Sequence, residues 1–224
     1  MDFFELKARY LGHRAKHYDQ ARVRHTKWVK ESESLLLFLK EIESEALSIL
    51  DLPCGTGRII DLLANHSIRF GYYFGGDISD DMLDIAKNKI PQEIAHKTSV
   101  ANANALSYAQ NPEAQVPSVV FCLRFVNWLS RNDLKLLLKN LKNTGATHIC
   151  ITNRSIDRSG NILQRIFREI ASRISYSTWK RQQMLHDINF FLEELGAEWR
   201  IEREEKLESR LDGTVLSLLI FHRQ

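Results

Sequence analysis

A chain of 224 residues, 44% apolar and 26% charged, is long enough for one sizeable α/β domain and short for two. No apolar run approaches the roughly 18–20 residues that span a bilayer, and the opening MDFFELKARY lacks a secretory pattern, so a cytoplasmic protein is expected. The net charge of +3 hides two basic stretches: residues 1–30 hold eight Lys and Arg against three acids, and residues 154–183 seven against two. Each reads either as a solvated helix face or as a contact for an anionic partner. Cys54, Cys122 and Cys150 show no CxxC or metal-ligand spacing, so reduced thiols and no metal site are expected.

Residues 2–20 and 24–45 read as helices, the second with Leu35, Leu36, Phe38, Leu39 and Ile42 at helical spacing. Residues 1–45 are therefore expected to form an N-terminal helical cap. A buried strand at 47–52 leads through a glycine turn to a helix at 57–66. A second strand, 70–78, ends in an acid, and Ser79 caps a helix with Asp80 and Asp81 in its first turn. A weak strand near 96–101 follows, then a strong one at 118–123, a helix at 131–142 and a strand at 146–152. Helices are expected near 160–174 and 180–195, and strands at 198–206 and 214–222 around Asp212-Gly213. The alternation predicts a doubly wound α/β fold: a seven-stranded, mostly parallel sheet with an antiparallel last strand and helices on both faces. Residues 46–224 make up this domain, with a helical insertion at about 154–191.

The most informative stretch is Ile49-Leu50-Asp51-Leu52-Pro53-Cys54-Gly55-Thr56-Gly57-Arg58, a strand, a tight turn and a helix start. Glycine leaves room for a ligand and tolerates positive φ, and the helix start offers unpaired N–H groups. G-x-G-x-x-G is absent because Arg58, Ile59 and Ile60 follow Gly57, and no P-loop pattern occurs. Asp51 precedes the glycines and Asp77 closes the next strand 26 positions later. An acid before the turn suits a cationic group, and an acid after the second strand can accept both hydroxyls of a ribose. The pair favours a nucleoside with an ammonium-bearing tail.

At these residues the chain resembles the class I S-adenosylmethionine-dependent methyltransferases, over roughly 45–152 plus the closing hairpin. The first motif matches Asp51 through Gly57, and the second matches Asp77-Ile78-Ser79-Asp80-Asp81-Met82-Leu83. The third appears as Asn104-Ala105-Leu106, and the fourth as Phe121 through Leu129. The resemblance implies S-adenosyl-L-methionine as cofactor, with Pro53, Cys54, Gly55 and Gly57 in the turn beside it. Asp51 would orient the ammonium and Asp77 hold the ribose hydroxyls. Ile78 and Met82 would flank the adenine, Asn104 and Ala105 would meet its polar edge, and Leu123 and Arg124 would lie beside the sulfonium. Tyr18, in His17-Tyr18-Asp19, suits a closing role from the N-terminal cap. Pro53 stands where many members have a glycine and removes one N–H. Asn104 replaces the usual aspartate, keeping a donor and an acceptor.

Methyl transfer from a sulfonium asks mainly for alignment, and a general base helps when the nucleophile is a hydroxyl. The catalytic group is open, with His13, His17 and His186 as the candidates to name; a lone histidine is more often structural. Asp187, next to His186, also reads simply as a helix N-cap. No P-P-Y/F tetrad follows strand four. A small or medium-sized acceptor is expected, with an anionic one among the options, and RNA or a non-catalytic scaffold role as alternatives. In residues 154–191, Ile162, Leu163, Ile166, Phe167, Ile170 and Ile174 form a stripe opposite Arg165, Arg168 and Arg173. That helix reads as packed on the domain, as a lid over an anionic substrate, or as a contact with an anionic membrane surface.

Overall fold

The computed structural model describes residues 26–109, 115–156, 184–210 and 213–224. His13, His17, Tyr18 and the stripe of 162–174 lie outside the described residues. Helix α1 (Thr26–Ile42) leads into β1 (Ser48–Asp51), α2 (Arg58–Asn65), β2 (Tyr72–Asp77), α3 (Asp80–Asn88), a short α4 (Gln92–Ala95) and β3 (Thr98–Asn102). Then follow β4 (Val119–Cys122), a 3₁₀ turn at Val126–Trp128, α5 (Arg131–Asn143), β5 (His148–Ile156), α6 (Ile188–Leu195), β6 (Trp199–Ser209) and β7 (Thr214–Arg223). The seven strands form one sheet in the order β3-β2-β1-β4-β5-β7-β6. β1 to β5 are parallel, and β7 runs antiparallel to both β5 and β6.

The central strands are apolar on both faces, as a parallel sheet covered by helices requires. Ile49, Phe121, Cys150 and Ile220 point to one core with Leu35, Phe38 and Leu39 of α1 and Ile59, Ile60 and Leu63 of α2. Their neighbours Leu50, Val120, Ile149, Ile151 and Phe221 point to the other, against Leu134, Leu137, Leu138 and Leu141 of α5 and Phe190, Phe191 and Leu195 of α6. Cys54, Cys122 and Cys150 are buried free thiols.

The caps follow from local sequence. Ser79 Oγ accepts from the Met82 N–H at 3.4 Å, and Ser130 Oγ from the Asp133 N–H at 3.2 Å. Asp187 is the N-cap of α6, its carboxylate accepting from the Asn189 N–H at 3.0 Å. The helix expected over 180–195 is thus Ile188–Leu195 in the described part, because Asp187 starts it and residues 184–187 run extended or irregular. β5 reaches Ile156 rather than 152, since its register with β7 continues to Ile156↔Thr214. The first residues assigned to the insertion therefore belong to the sheet.

Gly57 sits before α2 at φ +77°, where a Cβ would come within 3.1 Å of the Ala86 backbone and the Ile60 side chain. The close approach of α2 to α3 depends on its missing side chain. Gly57→Ala should lower stability by about 1–3 kcal/mol, read as a lower urea midpoint with an unchanged slope.

Candidate functional site

The chain winds outward from β1 to β2 and β3, then returns to β4 on the other side of β1. The connections from the carboxyl ends of β1 and β4 therefore leave in opposite directions and open a crevice, where such sheets bind ligands. A cavity of about 570 Å³ occupies it. Asp51, Pro53, Cys54 and Gly55 of the β1–α2 turn line it, with Asp77, Ile78 and Met82 after β2 and Leu123 and Arg124 after β4. Nine residues named from sequence thus meet at one space. Gly57 stands one step back, as the N-cap of α2.

Other named residues are placed elsewhere. Asn104 turns its Oδ1 onto the Leu106 N–H at 2.9 Å, and Ala105 is buried in the core of the α5 face; neither lines the cavity. His186 Nε2 lies 3.1 Å from the Val126 carbonyl, and its ring borders a separate cavity of about 400 Å³ with Asp187 and Ile188. Burial lowers its pKa.

Asp77 is 7% exposed. Its Oδ2 accepts the Gly55 N–H and its Oδ1 the Ser79 N–H, each at 2.9 Å. The Ile78 amide also bears on this carboxylate, and the lone-pair capacity left over faces the cavity, where ribose hydroxyls could donate. Burial raises its pKa, and the Ser79, Gly55 and Ile78 amides oppose the rise. The amide lost at Pro53 costs nothing at this carboxylate, because the turn donates from Gly55. Gly55 takes φ +56°, and a Cβ there would meet nothing within 4 Å. The backbone conformation, not crowding, asks for glycine at 55.

Asp51 is buried beside it, and among the described residues its hydrogen-bond partner is the Tyr73 hydroxyl, which donates to Oδ2 at 2.9 Å. Burial pushes the Asp51 carboxyl up to about 8; the Tyr73 hydrogen bond opposes this and the nearby Asp77 charge adds to it. A buried carboxyl with one neutral donor, facing a cavity, is matched to an incoming cation. Together Asp51 and Asp77 fit a nucleoside with an ammonium-bearing tail.

Sequence reasoning named Arg124 but missed Glu31, Arg58 and Trp28, which build the roof of the cavity with it. Glu31 of α1 has no exposure, yet its carboxylate takes Arg124 Nε at 2.9 Å and Nη2 at 3.0 Å, Arg58 Nη1, and the Thr152 hydroxyl at 2.7 Å. Burial works to raise its pKa, but the Arg124 and Arg58 guanidiniums prevail and hold it below the usual range. Both guanidiniums lie over the Trp28 ring, at 4.3 and 4.5 Å from its centroid. Arg124 adopts φ +59°, a left-handed conformation unusual for a side-chain-bearing residue, held by its two bonds to Glu31. The signal was legible in part: Glu31 lies at i−4 and i−8 from Leu35 and Leu39, a carboxylate on the apolar stripe of α1.

Residues 49–145 match the family model described as a methyltransferase domain. No curated protein sequence matches the chain. Among solved structures, the chain is similar to magnesium protoporphyrin IX methyltransferase (ChlM) from Synechocystis PCC 6803 with bound SAH, at TM-score 0.77 and 13% identity over 100% of both chains. It is similar to the methyltransferase domain of bacterial CtHen1-CN, at TM-score 0.65 and 14% identity over 88% of this chain and 99% of that one. It is also similar to the N-methyltransferase NodS from Bradyrhizobium japonicum WM9, at TM-score 0.59 and 13% identity over 87% and 95%.

The protonation of Asp51 can be read directly. An ammonium-bearing ligand binds its carboxylate form, and below pH about 8 the free protein must release a proton to present it. Affinity for S-adenosylhomocysteine should therefore fall by up to about tenfold per pH unit below pH 8 and level off above it. Calorimetry in buffers of different ionisation enthalpy should show proton release at pH 7. Asp51→Asn should bind more weakly without this pH dependence. Because the folded pKa is raised, the free wild-type protein loses stability as pH rises toward 8, and the variant should lose less.

Proposed function

We propose, for a chain whose residues 49–145 form a class I S-adenosylmethionine-dependent methyltransferase domain, that it methylates a small or medium-sized acceptor at the crevice above β1 and β4. The observation that carries the reading is the pairing of Asp51 and Asp77 at the ends of adjacent strands, both facing one cavity. S-adenosylmethionine, the cofactor of this domain, supplies a methyl carbon already activated by its sulfonium, which an acceptor lone pair can displace in line.

The chain's own work is binding and alignment. Asp77 would accept the two ribose hydroxyls on its remaining acceptor capacity while the Gly55 and Ser79 amides hold its plane. Asp51 would take the ammonium, and Tyr73 keeps that carboxylate aimed into the cavity. Ile78 and Met82 give apolar walls on the β2 side, and Leu123, Phe125 and Trp128 on the β4 side. Trp28 of α1 and Arg124 from the loop after β4 stack on each other and close one side of the space. His66 is the histidine among the described residues that lines the cavity, and it caps the carboxyl end of α2, about two turns along the helix from the glycine turn. An acceptor nucleophile that needs no deprotonation, such as a carboxylate or a neutral amine, suits this arrangement.

RNA as acceptor is a second reading, supported by the two basic stretches and tested by an electrophoretic shift at low salt. No helix among the described residues is long and apolar enough to cross a membrane.

Titration with S-adenosylmethionine tests the main reading. Wild-type protein should bind saturably, and Asp77→Ala should bind about tenfold to a hundredfold more weakly, since it loses two hydrogen bonds to a charged group. Equal affinity for the two proteins, or binding by neither, would sink it.

A further inference from the structure

From the cavity wall outward along the carboxyl edge of the sheet, five cationic side chains surround two carboxylates. Glu208 of β6 takes Arg154 Nη2 at 2.5 Å, Arg210 Nε at 3.2 Å and Lys27 Nζ at 3.4 Å. Glu31 takes Arg58 and Arg124. The Arg124 charge acts on both Lys27 and Arg154, so the two groups form one cluster. Among the described residues no third carboxylate lies within ion-pair distance of any of the five cations, although the Asp51 charge also acts on Arg58, so cations outnumber the carboxylates paired with them.

These are not fully hydrated surface groups. The side chain of Arg154 is 6% exposed, that of Lys27 22% and that of Arg210 28%. Like charges held together away from water are costly unless an anion joins them. Among the described residues donors remain for one: Lys27 uses one of its three N–H groups in the Glu208 contact, and Arg210 uses Nε, leaving its Nη groups. Burial, opposed by Glu208 and reinforced by Arg124 and Arg210, depresses the Lys27 pKa, as an excess of positive charge would.

The position suits an acceptor. The carboxylates matched to the cofactor stand at the ends of β1 and β2, whereas Arg154 lies in the last three residues of β5, Glu208 is the penultimate residue of β6, and Arg124 joins the cluster to the cavity wall. The two basic stretches of the sequence include Lys27 and Arg154 themselves. We infer that Lys27, Arg154 and Arg210 bind an anionic group, carboxylate or phosphate, on a small-molecule acceptor and so hold it at the mouth of the cofactor cavity. The inference rests on the methyl-transfer reading for calling that molecule the acceptor.

Calorimetry on the full chain at low ionic strength, with inorganic pyrophosphate and succinate as probes, tests it. Wild-type protein should bind at least one probe saturably at one site. The double variant K27M/R210Q, which keeps the Arg154–Glu208 pair, should bind it about tenfold more weakly. Its affinity for S-adenosylhomocysteine should stay within about twofold of wild type. Glu208→Gln, which removes a resident negative charge, should bind the probe more tightly, a gain that a purely structural role of the cluster would not give. Preference for pyrophosphate would identify a phosphate, and preference for succinate a carboxylate. Binding of neither probe, or equal binding by wild type and K27M/R210Q, would overturn the site. A single-stranded RNA bound in a Lys27- and Arg210-dependent way when neither small anion binds would overturn it in favour of a polynucleotide. Failure of wild-type protein to bind S-adenosylhomocysteine would strike the cofactor reading instead, whatever the anions do.

Discussion

Glu31 is a carboxylate without exposure to water, placed where the first turns of α1 meet residues from the start of α2, the loop after β4 and β5. It survives there because three elements converge on it: Arg58 from the first turn of α2, Arg124 from the loop after β4, and Thr152 from β5. An ion buried to this degree is stable only when its lone pairs are filled and its charge is balanced. Those two conditions lock α1 to three separate strand ends at once. They also hold Arg124 in a left-handed conformation and lay two guanidiniums against Trp28, so the wall of the cavity and the anchor of the helix are one construction.

Against this charged roof, the floor of the cavity is acidic and under-charged. Asp51 and Asp77 face the same space from neighbouring strands, and burial raises the pKa of both. Their contrast lies in what holds them. Asp77 is fixed by backbone amides of Gly55, Ser79 and Ile78 and turns its remaining acceptor capacity to the cavity, whereas Asp51 has the Tyr73 hydroxyl and suits a positive charge. A site that holds a carboxyl in its neutral form is destabilised less without ligand than one that carries bare charge, and regains the charge when a cation arrives. The sheet's switch between β1 and β4 creates the opening; these two side chains give it chemistry.

Charge is divided across the crevice. Acids lie at the ends of β1 and β2, and the excess of Arg and Lys lies at the ends of β5 and β6. A cation-bearing cofactor and an anion-bearing acceptor would each be drawn to its own side, which orients both before any contact with the reacting atoms. The overall charge of +3 conveys none of this, because the division is spatial.

The strands, their alternation with helices and the glycine turn were legible because they depend on local spacing. Val119 to Cys122, Ser79 and Ser130 act through neighbours a few residues away, and so did Asp51, Gly55 and Asp77 through a strand–turn–helix pattern. Boundaries moved where a tertiary partner extended an element, as β7 did for β5. Placement of Asn104 off the cavity followed from an Asx bond to Leu106, which competes with any ligand for its amide oxygen. The sequence by itself determined the fold class, the glycine turn and the two acids beside it, since apolar period and motif spacing are written into consecutive residues. Only the tertiary structure decided that Glu31 pairs with Arg124, 93 positions away, and that Glu208 gathers Lys27, Arg154 and Arg210. Ionic partners need only opposite charge and a shared low-dielectric space, and nothing in the linear order states which of many acids and bases the folded sheet will bring together.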